Sequence, residues 1–362
     1  MDVITKDPSF IVRSESPVCG GPPLSRLVER PLTWREDFFV RSHGAIPDLS
    51  VDRWRLSVEG LVSRPLTLTL AELTARFATR DAVVTLQCAG NRRDELIGVR
   101  PIPGEVPWGA EAVSTARWGG ASLADVLGAA GVLEGATHVW FEGLDEVTRH
   151  GHTFGFGSSI DLARALAGDV LLADRMNGDV LPAEHGFPLR AVIPGYIGAR
   201  SVKWLGRIIV ADRPTDNYFQ SHAYKVLPED VDPATADWDA YPAIEEAPLQ
   251  AVICLPATGA HVAPGQLTVQ GYATAPGHRR VALVEVSGDG GATWTAADLL
   301  DRPAPGAWSR WQATITLDVG DHTLVARVRD SEGGTGPRHV HERWNPKGYM
   351  NDAWHRIGVK AG

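Results

Sequence analysis

A single thiol followed closely by two cations is the pattern in this sequence with the clearest chemical meaning. Cys88 ends the apolar run 83–87, and Gly90, Arg92 and Arg93 follow it. A cysteine reacts or binds metal as the thiolate, and neighbouring cations lower its pKa toward that form. Two guanidinium groups beside one thiol would also attract an anion. Cys88 is therefore a candidate nucleophile or metal ligand beside an anion site, with a small buried core residue as the structural alternative.

A second group of donors lies between residues 185 and 204. His185, Arg190, Ser201 and Lys203 stand near the ends of apolar runs that glycine and proline interrupt. Glycine lets the backbone approach a ligand closely while several donors converge on it. This set of donors fits a phosphate-bearing cofactor. The glycine-rich fingerprints of dinucleotide and P-loop sites are missing from the sequence, which disfavours a nicotinamide or ATP site.

The elements that must position these residues change in character near residue 226. Before it, short apolar runs alternate with predicted helices. Thr69 and Ser122 each stand three residues before a carboxylate, as in a capping box, and Ser159 is predicted to open a third helix that ends near Gly168. This half is predicted to be a mixed α and β domain over residues 25–227.

The remaining chain is predicted to be a linker and a β-domain. Residues 228–248 are rich in Pro, Asp and Glu, which is typical of a linker. In 249–362, turns separate runs with strand character, which predicts an antiparallel β-sandwich and an α+β class for the whole chain. The predicted strands are Gln266–Tyr272, Val281–Ser287, Trp308–Leu317 and His322–Val328.

Composition excludes several classes of partner. The 362 residues carry a formal net charge of −9, whereas binding to nucleic acid or to a membrane surface needs broad basic patches. The three cysteines show no zinc-type spacing and favour a reducing compartment without a disulfide framework. An apolar stretch that could span a bilayer is missing, so we expect a cytoplasmic location and no membrane association.

From about Leu32 to its carboxyl terminus the sequence resembles the sulfite oxidase family of molybdenum enzymes. The resemblance rests on several motifs that occur in the family's order. They are Phe39–His43, Cys88–Arg93, Pro107–Trp108 leading into Ser114–Gly120, Met176–Gly178, His185–Arg190 and Gly198–Trp204.

The resemblance implies a molybdopterin-binding domain followed by an immunoglobulin-like dimerisation domain, and a homodimer. It implies that Cys88 is the protein's one ligand to molybdenum, the metal's other sulfurs coming from molybdopterin. A soft thiolate suits a redox metal. The residues that match the family's cofactor contacts are Phe39, Arg41, His43, Cys88, Asp145, His185, Arg190, Ser201 and Lys203.

For activity, the resemblance implies oxidation of sulfite to sulfate by oxygen-atom transfer. Arg41 and Arg93 match the family's anion-binding arginines, Trp108 its pocket wall and Tyr224 its active-site tyrosine. Lys347 stands where animal and plant sulfite oxidases carry an arginine, and a lysine offers a point charge in place of a planar fork. The form is expected to be bacterial-type, without a haem domain, so electrons would pass to an external acceptor such as a cytochrome.

Two other functions compete with sulfite oxidation. The same scaffold could reduce nitrate or a sulfoxide by transferring oxygen in the opposite direction. The chain could also be a non-catalytic two-domain binding protein. The presence of Cys88 and the paired arginines argues against the second alternative.

Overall fold

The first half of the chain contains the strands and helices that carry most candidate site residues. The computed structural model describes residues 5–362. The strands of this half are β1 (Ile11–Glu15), β2 (Val18–Gly21), β3 (Val40–Arg41), β4 (Leu56–Gly60), β5 (Leu66–Leu68), β6 (Thr79–Gln87), β7 (Val113–Ser122), β8 (His138–Gly143), β9 (Val147–Arg149), β10 (His152–Phe154), β11 (Gly157–Asp161), β12 (Leu171–Met176), β13 (Asp179–Val180), β14 (Arg190–Val192) and β15 (Leu205–Ala211). The helices are α1 (Leu24–Val28), α2 (Leu70–Arg76), α3 (Arg93–Val99), α4 (Leu123–Ala130) and α5 (Leu162–Ala165).

The sheets of this half bring the Cys88 motif close to the donors between residues 185 and 204. One sheet has the order β11-β8-β15-β4-β5, with β15 and β4 parallel. A second has the order β13-β12-β7-β6, and β14 also pairs with β12. Because β6 ends just before Cys88 and β14 begins at Arg190, this second sheet carries both the thiol and a candidate cofactor cation. In a third sheet, β2 pairs with β3 and places Cys19 opposite Arg41.

The predicted helix starts have different outcomes. Thr69 forms a capping box with Glu72, so that prediction is confirmed. Ser122 precedes α4, but its hydroxyl donates to the carbonyl of Gly168 at 3.3 Å and does not cap the helix. The prediction at Ser159 is wrong, because this residue pairs within β11 and its hydroxyl accepts from the amide of Thr215 at 3.1 Å. Strand pairing outweighs the local cap signal there, and α5 begins only at Leu162.

The carboxyl-terminal part is an all-β sandwich-like domain. Its strands are β16 (Gln250–Leu255), β17 (Ala260–Val262), β18 (Gly265–Thr274), β19 (Val281–Ser287), β20 (Thr295–Ala296), β21 (Asp298–Leu299), β22 (Ser309–Leu317), β23 (Gly320–Asp330) and β24 (His355–Ala361). They form two sheets, β16-β18-β22-β21 and β17-β24-β23-β19-β20. The four predicted strands coincide with β18, β19, β22 and β23. The α+β class is therefore confirmed.

Alternation of side chains explains the core of the second domain. Along β22, Trp311, Ala313, Ile315 and Leu317 are buried while the residues between them are less so. Successive side chains of a strand point to opposite faces, so this spacing turns one face of β22 toward the facing sheet.

Helical turns and irregular chain connect the two domains. The turns are Phe219–Ala223, a single π-helical turn, and the 3₁₀ turn Trp238–Ala240. A separate apolar cluster joins the domains directly: Leu27 and Val113 pack with Cys254, Tyr272 and Trp308. The second domain is thus packed against the sheet that carries Cys88.

The cysteines and the helices bear on two sequence expectations. Cys19, Cys88 and Cys254 are each unpaired and buried in the structure. In the described part of the chain, none of the helices combines the length and the apolar character that a bilayer crossing requires.

Candidate active site

The thiol of Cys88 lies where β6 ends and the chain turns into α3. The Cys88 amide donates to the carbonyl of Ala112 at 2.9 Å, and its carbonyl accepts from the amide of Asn91 at 3.0 Å. Burial raises the pKa of the Cys88 thiol, although Arg93 and Arg41 act to lower it. The expectation of a lowered pKa is therefore wrong for the protein alone, because desolvation outweighs the two cations. A bound metal ion would hold the thiolate.

The two arginines after Cys88 have separate environments. Arg92 is fully buried, and its guanidinium donates to the carboxylate of Glu95 at 2.7 and 2.8 Å and to the carbonyl of Ala353 at 2.8 Å. Its charge and donors are thus used within the protein. The expectation of an anion site built from both arginines is therefore wrong. Of the two, Arg93 is the one that interacts electrostatically with the Cys88 thiol.

The loop after Cys88 is held by the second domain. The side-chain amide of Asn91 donates to the phenol oxygen of Tyr272 and to the side-chain oxygen Oε1 of Gln250, each at 2.9 Å. The side-chain oxygen Oδ1 of Asn91 accepts from the main-chain amide of Ala112 at 3.0 Å. Because Asn91 is fully buried, these bonds fix the loop and with it the position of Cys88.

A pocket in the first domain brings together the predicted cofactor residues. It is a partly enclosed cavity, and Cys88 is one of the residues that line it. Its lining includes Phe39, Arg41, His43, Cys88, Asp145, His185, Arg190, Ser201, Lys203 and Tyr224. Three predicted substrate residues, Arg93, Trp108 and Lys347, lie outside this lining.

Buried cations crowd one part of the pocket. Arg190 donates to the carbonyls of His185 and Ser201, each at 2.9 Å, and Lys203 donates to the Ser42 hydroxyl and the Glu184 carbonyl, each at 3.0 Å. Burial lowers the pKa of Arg190 to about 9. Burial and the Arg190 charge lower that of Lys203 to about 7. Such crowding favours a bound anion, since an anion would restore the charged forms.

Lys6 joins this cluster from the amino-terminal segment, and sequence reasoning missed it. Its ammonium lies 3.1 Å from Nε2 of His185 and 3.8 Å from Oε1 of Glu184, a buried oxygen that has no hydrogen-bond partner within residues 5–362. Burial lowers the pKa of Lys6 to about 8. Nothing in the residues around Lys6 marks it, because its neighbours in space come from a distant part of the chain.

His43 and Tyr224 form a hydrogen-bonded pair at the pocket. The Tyr224 hydroxyl lies 2.9 Å from Nε2 of His43, and Phe156 stacks on the imidazole. Burial, Arg41 and Lys203 lower the pKa of His43 well below its usual range, while burial raises that of Tyr224. The imidazole is then neutral, and its Nε2–H tautomer would donate to the phenol oxygen and leave the phenolic proton for another acceptor.

Asp145 lies on another side of the pocket. Its Oδ1 accepts from the amide of Phe156 at 3.0 Å. This bond joins the two ends of the segment between β8 and β11, which contains the β9–β10 hairpin. Burial raises the pKa of this carboxyl. The carboxylate thus fixes a loop whose aromatic residue packs on His43.

Arg41 and Trp108 flank the region of the thiol. Arg41 donates to the carbonyl of Ser42 and approaches the sulfur of Cys19 at 3.5 Å. Trp108 is fully buried in the same apolar cluster as Cys88, and its indole N–H has no partner among the described residues. Trp108 does not line the pocket, and its role as a wall of the site stays a prediction.

Arg93 is held in place by main-chain carbonyls. Its guanidinium donates to those of Lys347 at 3.0 Å, Gly348 at 3.2 Å and Val106 at 2.8 Å. It lies flat against Gly90, where a Cβ would come within 2.5 Å of Cζ. The Lys347 ammonium meanwhile binds Glu105, whose other oxygen is 3.7 Å from Arg93. The main chain of Lys347 thus contacts Arg93, and its ammonium is paired with a carboxylate that sequence reasoning had not marked.

Comparisons with known proteins agree with this geometry. Residues 43–219 match the oxidoreductase molybdopterin binding domain, and residues 241–362 match the Mo-co oxidoreductase dimerisation domain. Sulfite oxidase of Gallus gallus is 45% identical over 97% of this chain and 78% of its own length. The chain belongs to the sulfite oxidase family.

Other members of the sulfite oxidase family and one solved structure extend the match. Mitochondrial sulfite oxidase of Homo sapiens is 41% identical over 98% of this chain, which spans 66% of the human protein's length. The sulfane dehydrogenase SoxCD of Paracoccus pantotrophus has the same fold, with a TM-score of 0.82 and 25% identity over 99% of this chain and 87% of its own. Membership of this family makes the protein an oxidoreductase that uses the molybdenum cofactor.

The pocket fits that cofactor chemically. Its buried cations Lys203 and Arg190, together with Lys6 beside the lining residue His185, suit a phosphate group, and aromatic and apolar side chains such as Phe39 line the remainder. Cys88, whose thiol is a soft donor, lines the same cavity. The donor set therefore matches an anionic, sulfur-linked metal cofactor.

Proposed function

We propose that this sulfite oxidase family member oxidises sulfite to sulfate at a molybdenum cofactor and passes the electrons to an external acceptor. The observation that carries the proposal is the position of Cys88. Cys88 lines a pocket that also contains the buried cations Arg190 and Lys203, and its thiol interacts electrostatically with Arg93 and Arg41. The surroundings of the thiol thus suit both an anionic cofactor and a small anionic substrate.

Cofactor binding is assigned to the residues of the pocket. Lys203, Arg190, His185 and Ser201 would hold the phosphate, and Phe39 and Asp145 would border the pterin. Cys88 would hold the metal. When bound, the molybdenum cofactor supplies the two-electron oxidation and the oxygen atom that sulfite gains.

Substrate binding is assigned to Arg41 and Arg93. Both are buried or half-buried cations near the thiol, and donors fixed before the reaction stabilise charge without reorganisation. Arg93 has the firmer position because three carbonyls hold it. Together they would orient the oxyanion with its sulfur toward the metal.

Tyr224 is assigned a proton-holding role next to the substrate. Its phenol keeps its proton because burial raises its pKa, and His43 orients the hydroxyl. A neutral donor can bind a sulfite oxygen without adding charge. Trp108 would close the site against water.

The family match bears on the proposed quaternary structure and partners. Residues 241–362 match a dimerisation domain, which supports a homodimer. We propose a cytochrome as the electron acceptor, a cytoplasmic location, an immunoglobulin-like second domain and the division into 25–227, 228–248 and 249–362. Analytical ultracentrifugation would test the homodimer, and steady-state reduction of candidate acceptors would test the cytochrome as acceptor.

Metal analysis with a substrate panel tests the proposal. The protein, produced in a host that makes the molybdenum cofactor, should contain molybdenum and reduce cytochrome c or ferricyanide when sulfite is added. Reduction of nitrate or of methionine sulfoxide, measured with a viologen donor, should be slower. Absence of molybdenum would contradict the enzyme assignment, and faster nitrate or sulfoxide turnover would contradict sulfite as substrate.

A further inference from the structure

A carboxylate lies among the cations assigned to the substrate. Glu105 precedes Trp108 in the loop between α3 and β7. One oxygen accepts from the Lys347 ammonium, and the other lies 3.7 Å from Nη2 of Arg93. The side chains of Glu105 and Lys347 are 17% and 21% exposed, whereas that of Arg93 is 3% exposed. Solvent therefore reaches Glu105 and Lys347 more readily than it reaches Arg93.

The two cations depend on Glu105 to different degrees. Arg93 is held by the carbonyls of Val106, Lys347 and Gly348, and its distance to Glu105 is long for a hydrogen bond. Lys347 directs its ammonium to the Glu105 carboxylate. Removal of the carboxylate would therefore leave Arg93 in place and would release the ammonium of Lys347.

The charges of the cluster suggest what the pair does. Arg41, Arg93 and Lys347 carry three positive charges and Glu105 carries one negative charge, which leaves a net charge of +2. That value matches a doubly charged oxyanion such as sulfite, and it also matches the product sulfate. If the ammonium of Lys347 were free, it would add a further contact to the bound anion and would strengthen the binding of substrate and product equally. Equal strengthening does not speed the chemical step.

We propose that Glu105 sets the anion affinity of the substrate site by holding the charge of Lys347 away from a bound divalent oxyanion. The inference rests on the proposed function. It assigns a specificity-determining role to a carboxylate that does not contact the substrate, and it accounts for a lysine at 347, since a single point charge pairs fully with one carboxylate oxygen. The carboxylate keeps sulfate weakly bound and so favours its release.

Sulfate binding to the purified holoenzyme is the direct test, and it does not depend on turnover. In Glu105→Gln, the dissociation constant for sulfate, measured by isothermal titration calorimetry, should fall about fivefold, because a nearby unpaired cation strengthens the attraction by a modest amount at a partly exposed site. The KM for sulfite should fall by a similar factor, with no rise in kcat. Asp212→Asn removes one exposed charge elsewhere and should change neither value.

A double-mutant cycle separates this role from a structural one. Lys347→Met keeps the main-chain carbonyl that holds Arg93, and in that background Glu105→Gln should have no further effect on sulfate affinity. Unchanged or weaker sulfate binding in Glu105→Gln would overturn the inference, as would an effect that persists in Lys347→Met. Failure of the wild type to oxidise sulfite would instead sink the proposed function, and the sulfate titrations would still report on Glu105.

Discussion

The side-chain amide of Asn91 donates a hydrogen bond to the phenol oxygen of Tyr272 at 2.9 Å, and this bond joins the Cys88 loop to the second domain. Tyr272 in turn donates to the carbonyl of Ala110 at 2.7 Å, and both residues are fully buried. The second domain therefore supports the Cys88 loop of the first, in addition to any part it has in assembly.

Tyr272→Phe tests this support. The change leaves a buried amide with one fewer acceptor and the Ala110 carbonyl without its donor, so the free energy of unfolding should fall by about 1 to 3 kcal/mol. Urea denaturation followed by tryptophan fluorescence measures it. Tyr241→Phe alters a half-buried tyrosine of the connecting segment and should cost much less. Equal stability of Tyr272→Phe and wild type would show that the contact contributes nothing.

Gly90→Ala tests the position of Arg93. A Cβ at residue 90 would come within 2.5 Å of the Arg93 Cζ, so the guanidinium must move away from its carbonyl partners. The KM for sulfite should rise about tenfold while molybdenum content stays the same, as expected when a fixed charge-assisted contact is displaced.

The matched control for this substitution is Gly98→Ala in α3. A Cβ there meets no atom within 4 Å, so its kinetics should resemble those of the wild type. A wild-type KM in Gly90→Ala would argue that the location of Arg93 does not matter for sulfite binding.

Lys203→Met tests the cation cluster of the pocket. In the protein alone the pKa of Lys203 is lowered to about 7 by burial and by Arg190, with Asp145 acting in the opposite direction. A bound phosphate needs the protonated form, so above about pH 7 cofactor binding must take up a proton and weakens as the pH rises. Cofactor retained after long dialysis should fall between pH 6 and pH 9.

The variant should retain less cofactor than the wild type and show a smaller pH dependence. Lys360→Met removes an exposed lysine from β24 and should behave as the wild type does. Cofactor retention is measured as the molybdenum and pterin content after dialysis at each pH. Full retention by Lys203→Met at every pH would remove Lys203 from the phosphate site.

Local patterns predicted much of the fold. The strands around Trp311 were predictable because alternating burial follows from the geometry of a strand. The structure around Ser159 was not predictable in this way. The hydroxyl pattern that suggested a helix start is also compatible with a strand, and Ser159 pairs with the neighbouring strand β8. That choice depends on tertiary contacts, which a short stretch of sequence does not contain.

The candidate site divides in a similar way. Cys88, Arg190 and Lys203 were found because glycine and proline accompany them and a family resemblance supports them. Lys6 and Glu105 were missed, because nothing in their local sequence marks them. Each joins the site through a contact with a residue far along the chain. Lys6 meets His185 across 179 residues, and Glu105 meets Lys347 across 242.

The same difference explains the error about the Cys88 thiol. The adjacent cations were visible in the sequence, and they predicted a lowered pKa. The extent of burial was not visible, and burial outweighs them. Electrostatics at a buried site depend on the solvent that folding removes as much as on the neighbouring charges.

Sulfite turnover per bound molybdenum, measured side by side in wild type and Cys88→Ser, is the most direct test of the account. Wild type should reduce an external acceptor with sulfite in proportion to its molybdenum, whereas Cys88→Ser should lose at least about 99% of that turnover, since a hydroxyl is a poor replacement for a soft thiolate ligand. Cys254→Ala, which removes a buried thiol between the domains, should keep its turnover per molybdenum. Equal turnover per molybdenum in Cys88→Ser and wild type would contradict the assignment of Cys88 as the metal anchor.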